Sequence, residues 1–508
     1  MTGKKRIGSA LISVYHKEGL EPIIRKLHEL KVTLYSTGGT YEAIRALGVP
    51  VKSVESLTGY PSILGGRVKT LHPKVFGGIL ARRLDGKDRA NLEKYQIPEI
   101  DLVMVDLYPF EETLQSTEDE SEIIEKIDIG GIALIRAAAK NYQDTLVVSH
   151  RGQYQDLLRM LEEEDGFTGL EQRKAFARDA FGVSSHYDTA IFHYFNREDT
   201  AHALKVSLHE ARELRYGENP HQQGVFFGNL EEAFEQLHGK AISYNNLVDI
   251  DAAVRVIAEF DHPAVAILKH TNACGLAERD SLSEAWEAAL AGDPVSAFGG
   301  IIIVNRPMDE VTAEGINKLF VEVVIAPDFE PEALSLLRGK KNRILLRQKQ
   351  FTFGTSQYRS LLNGAVWQEL DLKTETEADF QVVTQRIPEK EEITDLVFGN
   401  KAVKHLKSNA IALAKGKQLI GIGTGQTSRV DALKQAIAKA SHFKFDLRGA
   451  IMASDAFFPF PDCVEIAHEA GIRAVIQPGG SIRDQASIDF CNAHEMAMVF
   501  TGTRHFKH

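Results

Sequence analysis

Apolar positions in the first sixty residues switch between two spacings. Ile7 to Val14 is a largely apolar stretch and predicts a strand. Leu20, Ile23, Ile24, Leu27 and Leu30 then recur three and four residues apart, the period of a helix with one buried face. Val32 to Tyr35 predicts a second strand, which runs into Ser36-Thr37-Gly38-Gly39-Thr40. A short helix follows, with Thr40 as its cap, Gly48 where a C′ glycine belongs and Pro50 blocking continuation. The last sixty residues keep the same rhythm. Ala450–Ala453 reads as a strand, Asp462–Ala470 as a helix and Arg473–Ile476 as a strand. A turn at Pro478-Gly479-Gly480, a helix to Glu495 and a strand at Ala497–Thr501 complete it. Strands alternating with helices predict an α/β chain with a mostly parallel sheet covered on both faces.

Between these ends the pattern is less regular. Gln115 to Glu125 is acidic and polar, a loop running into a helix. Phe181–Phe195 has helical periodicity, and the polar stretch Asn196 to His202 after it marks the main boundary, giving domains 1–200 and 201–508. Arg338 to Gln350 reads as a surface segment of the second half. Leu268-Lys269-His270-Thr271-Asn272-Ala273 and Leu406-Lys407-Ser408-Asn409-Ala410 form a faint internal echo.

Composition narrows the class. A chain of 508 residues with 44% hydrophobic and 25% charged residues is globular, so wholesale disorder is excluded. Fifty-nine Lys and Arg against seventy Asp and Glu leave a formal charge of −11. That balance disfavours non-specific nucleic-acid binding, yet local cationic clusters can still hold small anions. Cys274, Cys463 and Cys491 are far apart, with no CxxC spacing, which argues against a zinc or redox motif and suits a reducing cytoplasm. The N-terminal stretch is broken early by charge and does not read as a signal peptide, and no apolar run predicts a membrane span.

Several short motifs carry candidate chemistry. Ser36 to Thr40 joins a strand to a helix, where free N–H groups and hydroxyls suit a phosphate; the alternative is an ordinary βα turn. Gly65-Gly66-Arg67-Val68-Lys69-Thr70-Leu71-His72-Pro73 places two glycines beside two cations that alternate as on an extended segment, so both can face one anion; the alternative is a solvated basic loop. Asp128-Ile129-Gly130-Gly131 precedes the helical run Ile132–Lys140, on which Arg136 and Lys140 share a face. Asp128 and Lys140 serve acid–base roles if both reach one pocket, and otherwise are a cap and a surface cation. Lys269-His270-Thr271-Asn272 follows the apolar strand Ala264–Leu268, and carboxyl ends of parallel strands favour catalytic groups. A buried structural His with a snorkelling Lys is the alternative. Gly421-Ile422-Gly423-Thr424-Gly425-Gln426 fails the dinucleotide pattern at Gln426 and leaves a tight, ligand-approaching turn. The tail Thr503-Arg504-His505-Phe506-Lys507-His508 is cationic and aromatic directly after a core-like strand.

Together these stretches converge. GGRVKTLHP, DLYPF, IDIGG with RAAAKN, LRYGENPHQ, LKHTNACG, GIGTGQTSR, SDAFFPF and RHFKH occur in this order along essentially the whole chain. The sequence resembles the bifunctional AICAR formyltransferase/IMP cyclohydrolase family. The resemblance implies a methylglyoxal-synthase-like, Rossmann-like cyclohydrolase domain over 1–200. It implies a formyltransferase region of two cytidine-deaminase-like α/β units over 201–508. The implied reactions are formyl transfer from 10-formyltetrahydrofolate to AICAR, giving FAICAR, and closure of FAICAR to IMP with loss of water. No catalytic metal, nucleic acid or membrane is implied. A homodimer is, with formyltransferase sites shared across its interface.

The resemblance also implies residue roles. For formyl transfer, His270 is the proton acceptor, Lys269 stabilises the oxyanion or assists the folate nitrogen, and Asn409 holds the formyl oxygen. Arg215, Tyr216, Gly299, Arg429, Phe457, Asp462, Arg504 and His508 match substrate or folate contacts. For ring closure, Lys140 matches the proton donor and acceptor, with Asp128, Tyr108 and Lys69 in support. Lys17, Ser36, Thr37, Gly38, Gly39, Thr40, Arg67 and Thr70 match the grip on the nucleotide. Some positions depart from the family pattern. A loop often Ser-x-Ser-Asp-Lys reads Ser13-Val14-Tyr15-His16-Lys17, and Asp106 stands where Asn often precedes LYPF. Glu322 replaces a common Asp, and Lys507 a penultimate His.

Overall fold

A computed structural model describes residues 3–197 and 203–508. The chain divides into two compact units, Met1–His209 and Glu210–His508. Part of the expected boundary, residues 198–202, lies outside the described residues.

The first unit is built on five parallel strands: β1 (Ser9–Val14), β2 (Thr33–Ser36), β3 (Lys52–Ser53), β4 (Leu102–Asp106) and β5 (Leu146–Val148). Their order is β3-β2-β1-β4-β5. The strand order reverses between β1 and β4, and ligands of such sheets bind at the carboxyl ends beside that reversal. Helix α1 (Leu20–Glu29) buries Leu20, Ile23, Ile24 and Leu27, as its spacing predicts. Helix α2 (Gly38–Ala46) starts earlier than expected. Its cap is Thr37, not Thr40, whose hydroxyl instead donates to Val14 O at 2.9 Å and accepts from Val14 N–H at 3.1 Å. Helix α3 (Gly130–Lys140) packs beside the 26-residue α4 (Leu170–Phe195).

The second unit holds two six-stranded sheets. The first comprises β6 (Phe234–His238), β7 (Ala264–Lys269), β8 (Asn272–Glu278), β9 (Ile301–Val304), β10 (Val323–Ala326) and β11 (Ile344–Gln348). The second comprises β12 (Gln381–Val382), β13 (Ile411–Ala414), β14 (Leu419–Gly423), β15 (Ile451–Ser454), β16 (Ala474–Gln477) and β17 (Ala497–Phe500). The orders are β6-β11-β10-β9-β7-β8 and β12-β17-β16-β15-β13-β14, the same permutation with the same parallel and antiparallel pairings. The unit is therefore a structural duplication.

The register of that duplication is not that of the sequence echo. Ile267 faces Gly275 and Leu268 faces Ala273 across one bulge; Leu413 faces Gly421 and Ala414 faces Leu419 across its twin. Lys269 thus corresponds to Lys415 and His270 to Gly416, whereas the Leu406–Ala410 half of the echo lies before β13. Two further expectations change. Arg338 to Gln350 is not a surface segment, because its central Ile344-Leu345-Leu346 is a buried strand, with charge confined to the flanks. Gly421 and Gly423 lie on β14 rather than in a ligand turn: a Cβ on Gly423 would sit 1.7 Å from Ala432 O of the covering helix (Arg429–His442).

A buried charged network holds the tail. His505 is 2% exposed, with Nδ1 2.6 Å from Asp371 and Nε2 2.9 Å from Glu375. Burial alone would lower its pKa, but hydrogen bonds to these two carboxylates lift it to about 9. His505 N–H donates to Asp455 O at 3.0 Å, and Ser408 N–H to Lys507 O at 2.9 Å. The tail is thereby fixed along the loop before β13. A raised folded pKa gives stability that is complete below the ordinary value of 6.5 and lost as pH rises through about 9. Amide exchange across residues 503–508, corrected for intrinsic rates, should accelerate over that window. His505→Gln should remove the pH dependence; a flat native profile would refute the linkage.

Candidate active sites

The first site lies at the carboxyl ends of β1, β2 and β4, where the strand order reverses. It is a cleft of about 540 Å³, lined among others by Lys17, Thr37, Lys69, Tyr108 and Asp128. Two helix N-termini open on it: α2 at Gly38-Gly39 and α3 at Gly130-Gly131. Each supplies free N–H groups and the positive end of a dipole, which suits an anion. Thr37 Oγ1 is buried without a hydrogen-bond partner at the start of α2. Lys69 leans over both glycine turns: a Cβ on Gly66 would lie 2.7 Å from its Cε, and one on Gly38 would lie 3.6 Å from Nζ. Lys17 Nζ donates to Val14 O and Tyr15 O at 2.7 and 2.6 Å, and burial lowers its pKa despite the neighbouring Asp106.

Asp128 stands at the start of α3. Burial raises its carboxyl above the usual range, held back by the N–H groups of Gly131, Tyr108 and Gly130 and by the charge of Lys69. Gly131 N–H donates to Oδ1 at 2.7 Å. Burial also raises the Tyr108 hydroxyl, with Asp128 and Glu125 adding to the rise. A carboxyl moved toward neutrality beside a phenol and an ammonium forms a proton-handling group.

Several expected residues sit differently. Ser36 is fully buried and its hydroxyl donates to Ile12 O at 2.7 Å, locking β2 to β1 rather than facing the cleft, whereas Thr40 lines the cleft with its hydroxyl engaged by Val14. Thr70 is buried, its Oγ1 3.1 Å from where a Cβ on Gly130 would lie. Arg67 lines the cleft with Lys69, and its guanidinium forms an exposed pair with Glu125. Lys140 is at the far end of α3, about 15 Å along its axis from Gly130 at 1.5 Å per residue. It lines a separate open groove with Arg136, Lys174 and Arg178.

The second site gathers where the two copies of the duplication meet. β8 and β14 are outer strands of their sheets, and Ala277 bridges Gln418 in antiparallel fashion. Lys269 and exposed His270 stand at the β7–β8 hairpin, and Lys269 Nζ donates to Phe298 O at 2.9 Å beside left-handed Gly299. Asn272 ties the hairpin to the other copy. Its Nδ2 donates to His270 O at 2.8 Å, and its Oδ1 accepts from Thr424 Oγ1 at 3.0 Å. Gly425 N–H donates to Lys407 O at 2.7 Å, which holds the adjoining loop that carries Asn409.

Arg429 is not a free substrate contact. It is buried, its guanidinium paired with Asp455 and donating to Ser454 Oγ at 3.0 Å and Asn409 Oδ1 at 2.8 Å. It orients Asn409, whose Nδ2 donates to Gln426 O at 3.0 Å. Phe457 is exposed, and Asp462 begins a helix. Arg504 stacks on Phe506 at 4.4 Å, with His508 against the same ring at 5.5 Å. Arg215 lies over Tyr216 at 5.5 Å on a loop tied to the helix Tyr244–Ile257 through Asn245 Nδ2 and Glu218 O. The sequence motifs held Asn272 and Thr424 without assigning them; their roles arise only where two distant hairpins meet.

Comparison with known proteins shows the family. A family profile described as AICARFT/IMPCHase bienzyme matches residues 138–439, and one for an MGS-like domain matches residues 19–133. The bifunctional purine biosynthesis protein PurH of Bacteroides thetaiotaomicron is 60% identical over 508 residues, covering 100% of both chains. PurH of Acetivibrio thermocellus is 46% identical over 517 residues, covering 99% of this chain and 100% of its own. PurH of Aquifex aeolicus is 46% identical over 509 residues, covering 98% and 100%. With an MGS-like domain ahead of the formyltransferase region and identity across its whole length, the chain belongs to the AICARFT/IMPCHase bienzyme family and is an AICAR formyltransferase and IMP cyclohydrolase.

Proposed function

We propose that the unit Met1–His209 closes FAICAR to IMP and that the unit Glu210–His508 transfers the formyl group from 10-formyltetrahydrofolate to AICAR. The observation that carries the first half is the unpartnered Thr37 hydroxyl at a helix N-terminus beside Lys17 and Lys69. That cradle takes the nucleotide phosphate. The carboxamide nitrogen attacks the formyl carbon, Lys69 stabilises the developing oxyanion, and Asp128 with Tyr108 moves the protons that release water. The reaction is intramolecular, so holding the two groups together supplies much of its rate.

In the second unit the AICAR amine attacks the formyl carbon and loses its proton to His270. The tetrahedral intermediate then breaks its bond to the folate nitrogen, which takes a proton, with Lys269 assisting. Arg215, Tyr216, Arg504 and His508 are the proposed substrate contacts, and Arg429 acts by orienting Asn409. A cytoplasmic location is part of this reading, and the buried free thiols of Cys274, Cys463 and Cys491 support it. Among the described residues no helix is long and apolar enough to cross a membrane.

Lys140 enters ring closure only through a second copy. It lies outside its own cleft, on an open groove that a partner is able to face. The hairpin Ser356–Leu361 and Gly364–Glu369 also favours a homodimer. Both its faces are exposed, including Tyr358, Val366 and Trp367, and a lone two-stranded ribbon is marginal in water.

Two measurements test this. His270→Ala should abolish FAICAR formation while added FAICAR still cyclises, and Lys69→Ala should slow cyclisation by about 100-fold, the scale of a lost oxyanion donor, with formyl transfer intact. Loss of the same step in both would refute the division of labour. Mixing Lys69→Ala and Lys140→Ala chains, each impaired in ring closure alone, should restore part of that activity through mixed dimers. No restoration would show that Lys140 does not act across subunits.

A further inference from the structure

The duplicated unit solves one local problem twice, with different residues. Each copy joins its second and third strands by a hairpin whose two central residues are left-handed. In the first copy they are His270 (φ 50°) and Thr271 (φ 64°); in the second, Gly416 (φ 56°) and Lys417 (φ 53°). The same bulge precedes both turns. In each copy a carboxylate from the preceding helix receives the N–H groups of the turn. Asp395, on the helix Lys390–Lys404, accepts from Gly416 N–H at 2.7 Å and Lys417 N–H at 2.6 Å. Asp249, on the helix Tyr244–Ile257, accepts from Thr271 N–H at 2.7 Å.

The left-handed region is open to glycine and sterically costly for other residues, most of all β-branched ones. The second copy puts glycine at the first central position. The first copy puts His270 there, followed by the β-branched Thr271. The turn that carries the proposed base is thus the one least able to keep its shape unaided. The second copy also braces its turn from outside, since Arg279 donates to Gly416 O and Lys417 O at 2.7 and 3.1 Å. In the first copy Asp249 is only half-buried, and Lys269, His270 and Glu322 are the charged or titratable groups around it.

We propose that Asp249 is a positioning residue for formyl transfer: by accepting the Thr271 N–H it fixes the left-handed hairpin that aims Lys269 and His270 at the reacting atoms. The proposal rests on the assignment of His270 as the base. Asp395, the same clamp on a turn without chemistry, is its internal control.

Asp249→Ala should lower kcat for formyl transfer by about 30- to 100-fold, the scale of a small misplacement of a reacting group, with KM for AICAR within about threefold. Asp249→Asn should retain most of kcat, because its amide oxygen still accepts the N–H. Asp395→Ala should lower the thermal midpoint without that selective fall in kcat. Cyclisation of added FAICAR should be unchanged in all three. If Asp249→Ala does not fold, the near-isosteric Asp249→Leu, which has no acceptor, replaces it. Native kcat in the Ala or Leu variant overturns the proposal. So does an Asn variant as impaired as Ala, which would mean that the charge acts directly. A His270→Ala chain with native formyl transfer would instead overturn the base assignment itself, whatever Asp249 does.

Discussion

An outer strand presents a row of unpaired backbone groups, and the duplicated unit has two of them facing each other, β8 and β14. Each copy covers the other's edge. Ala277 bridges Gln418, and Glu278 N–H donates to Lys417 O at 3.0 Å. The proposed formyl-transfer site is a by-product of that mutual cover. Closing the edges brings the first copy's hairpin against the second copy's Thr424 and the loop that carries Asn409. The twin junction at the other end of the same strands is filled by Arg279. One pseudo-equivalent corner holds the proposed catalytic pair and the other is closed by a side chain.

The first unit reaches its chemistry by another route. Its strand-order reversal sets β1 beside β4, and two helices start within one cleft. Helix starts concentrate N–H groups, and burial of Asp128 at the start of α3 moves its carboxyl upward while those groups restrain the rise. The proposed binding draws on the N–H groups at the start of α2, and the proposed proton handling on those at the start of α3.

The sequence made the strand–helix rhythm and the family motifs legible, because apolar periodicity and glycine turns are local. Partnerships between distant side chains were not. Ser36 and Thr40 have the chemistry of phosphate ligands, yet their hydroxyls are consumed by Ile12 O and Val14 O. Arg67 and Arg429 read as anion contacts, and their pairing with Glu125 and Asp455 was not legible from the motifs. Residues 338–350 looked like surface because charged flanks outnumber a three-residue apolar centre. The duplication lay hidden because its constant features are a bulge, a left-handed turn and a helical carboxylate. The letters at the turn, His-Thr against Gly-Lys, share no side-chain chemistry.

Two departures from the family pattern, His16 and Asp106, meet in the first unit. Asp106 Oδ2 accepts from His16 N–H at 2.9 Å and lies 2.7 Å from His16 Nδ1. Where relatives often carry a carboxylate at the first position and an amide at the second, this chain has moved the carboxylate across the gap. The two positions are therefore coupled in this chain by direct contact. A chimera with such a relative, joined anywhere between residues 16 and 106, would set two carboxylates face to face or leave an imidazole opposite an amide. Either chimera loses the carboxylate–imidazole contact that joins the ends of β1 and β4 here.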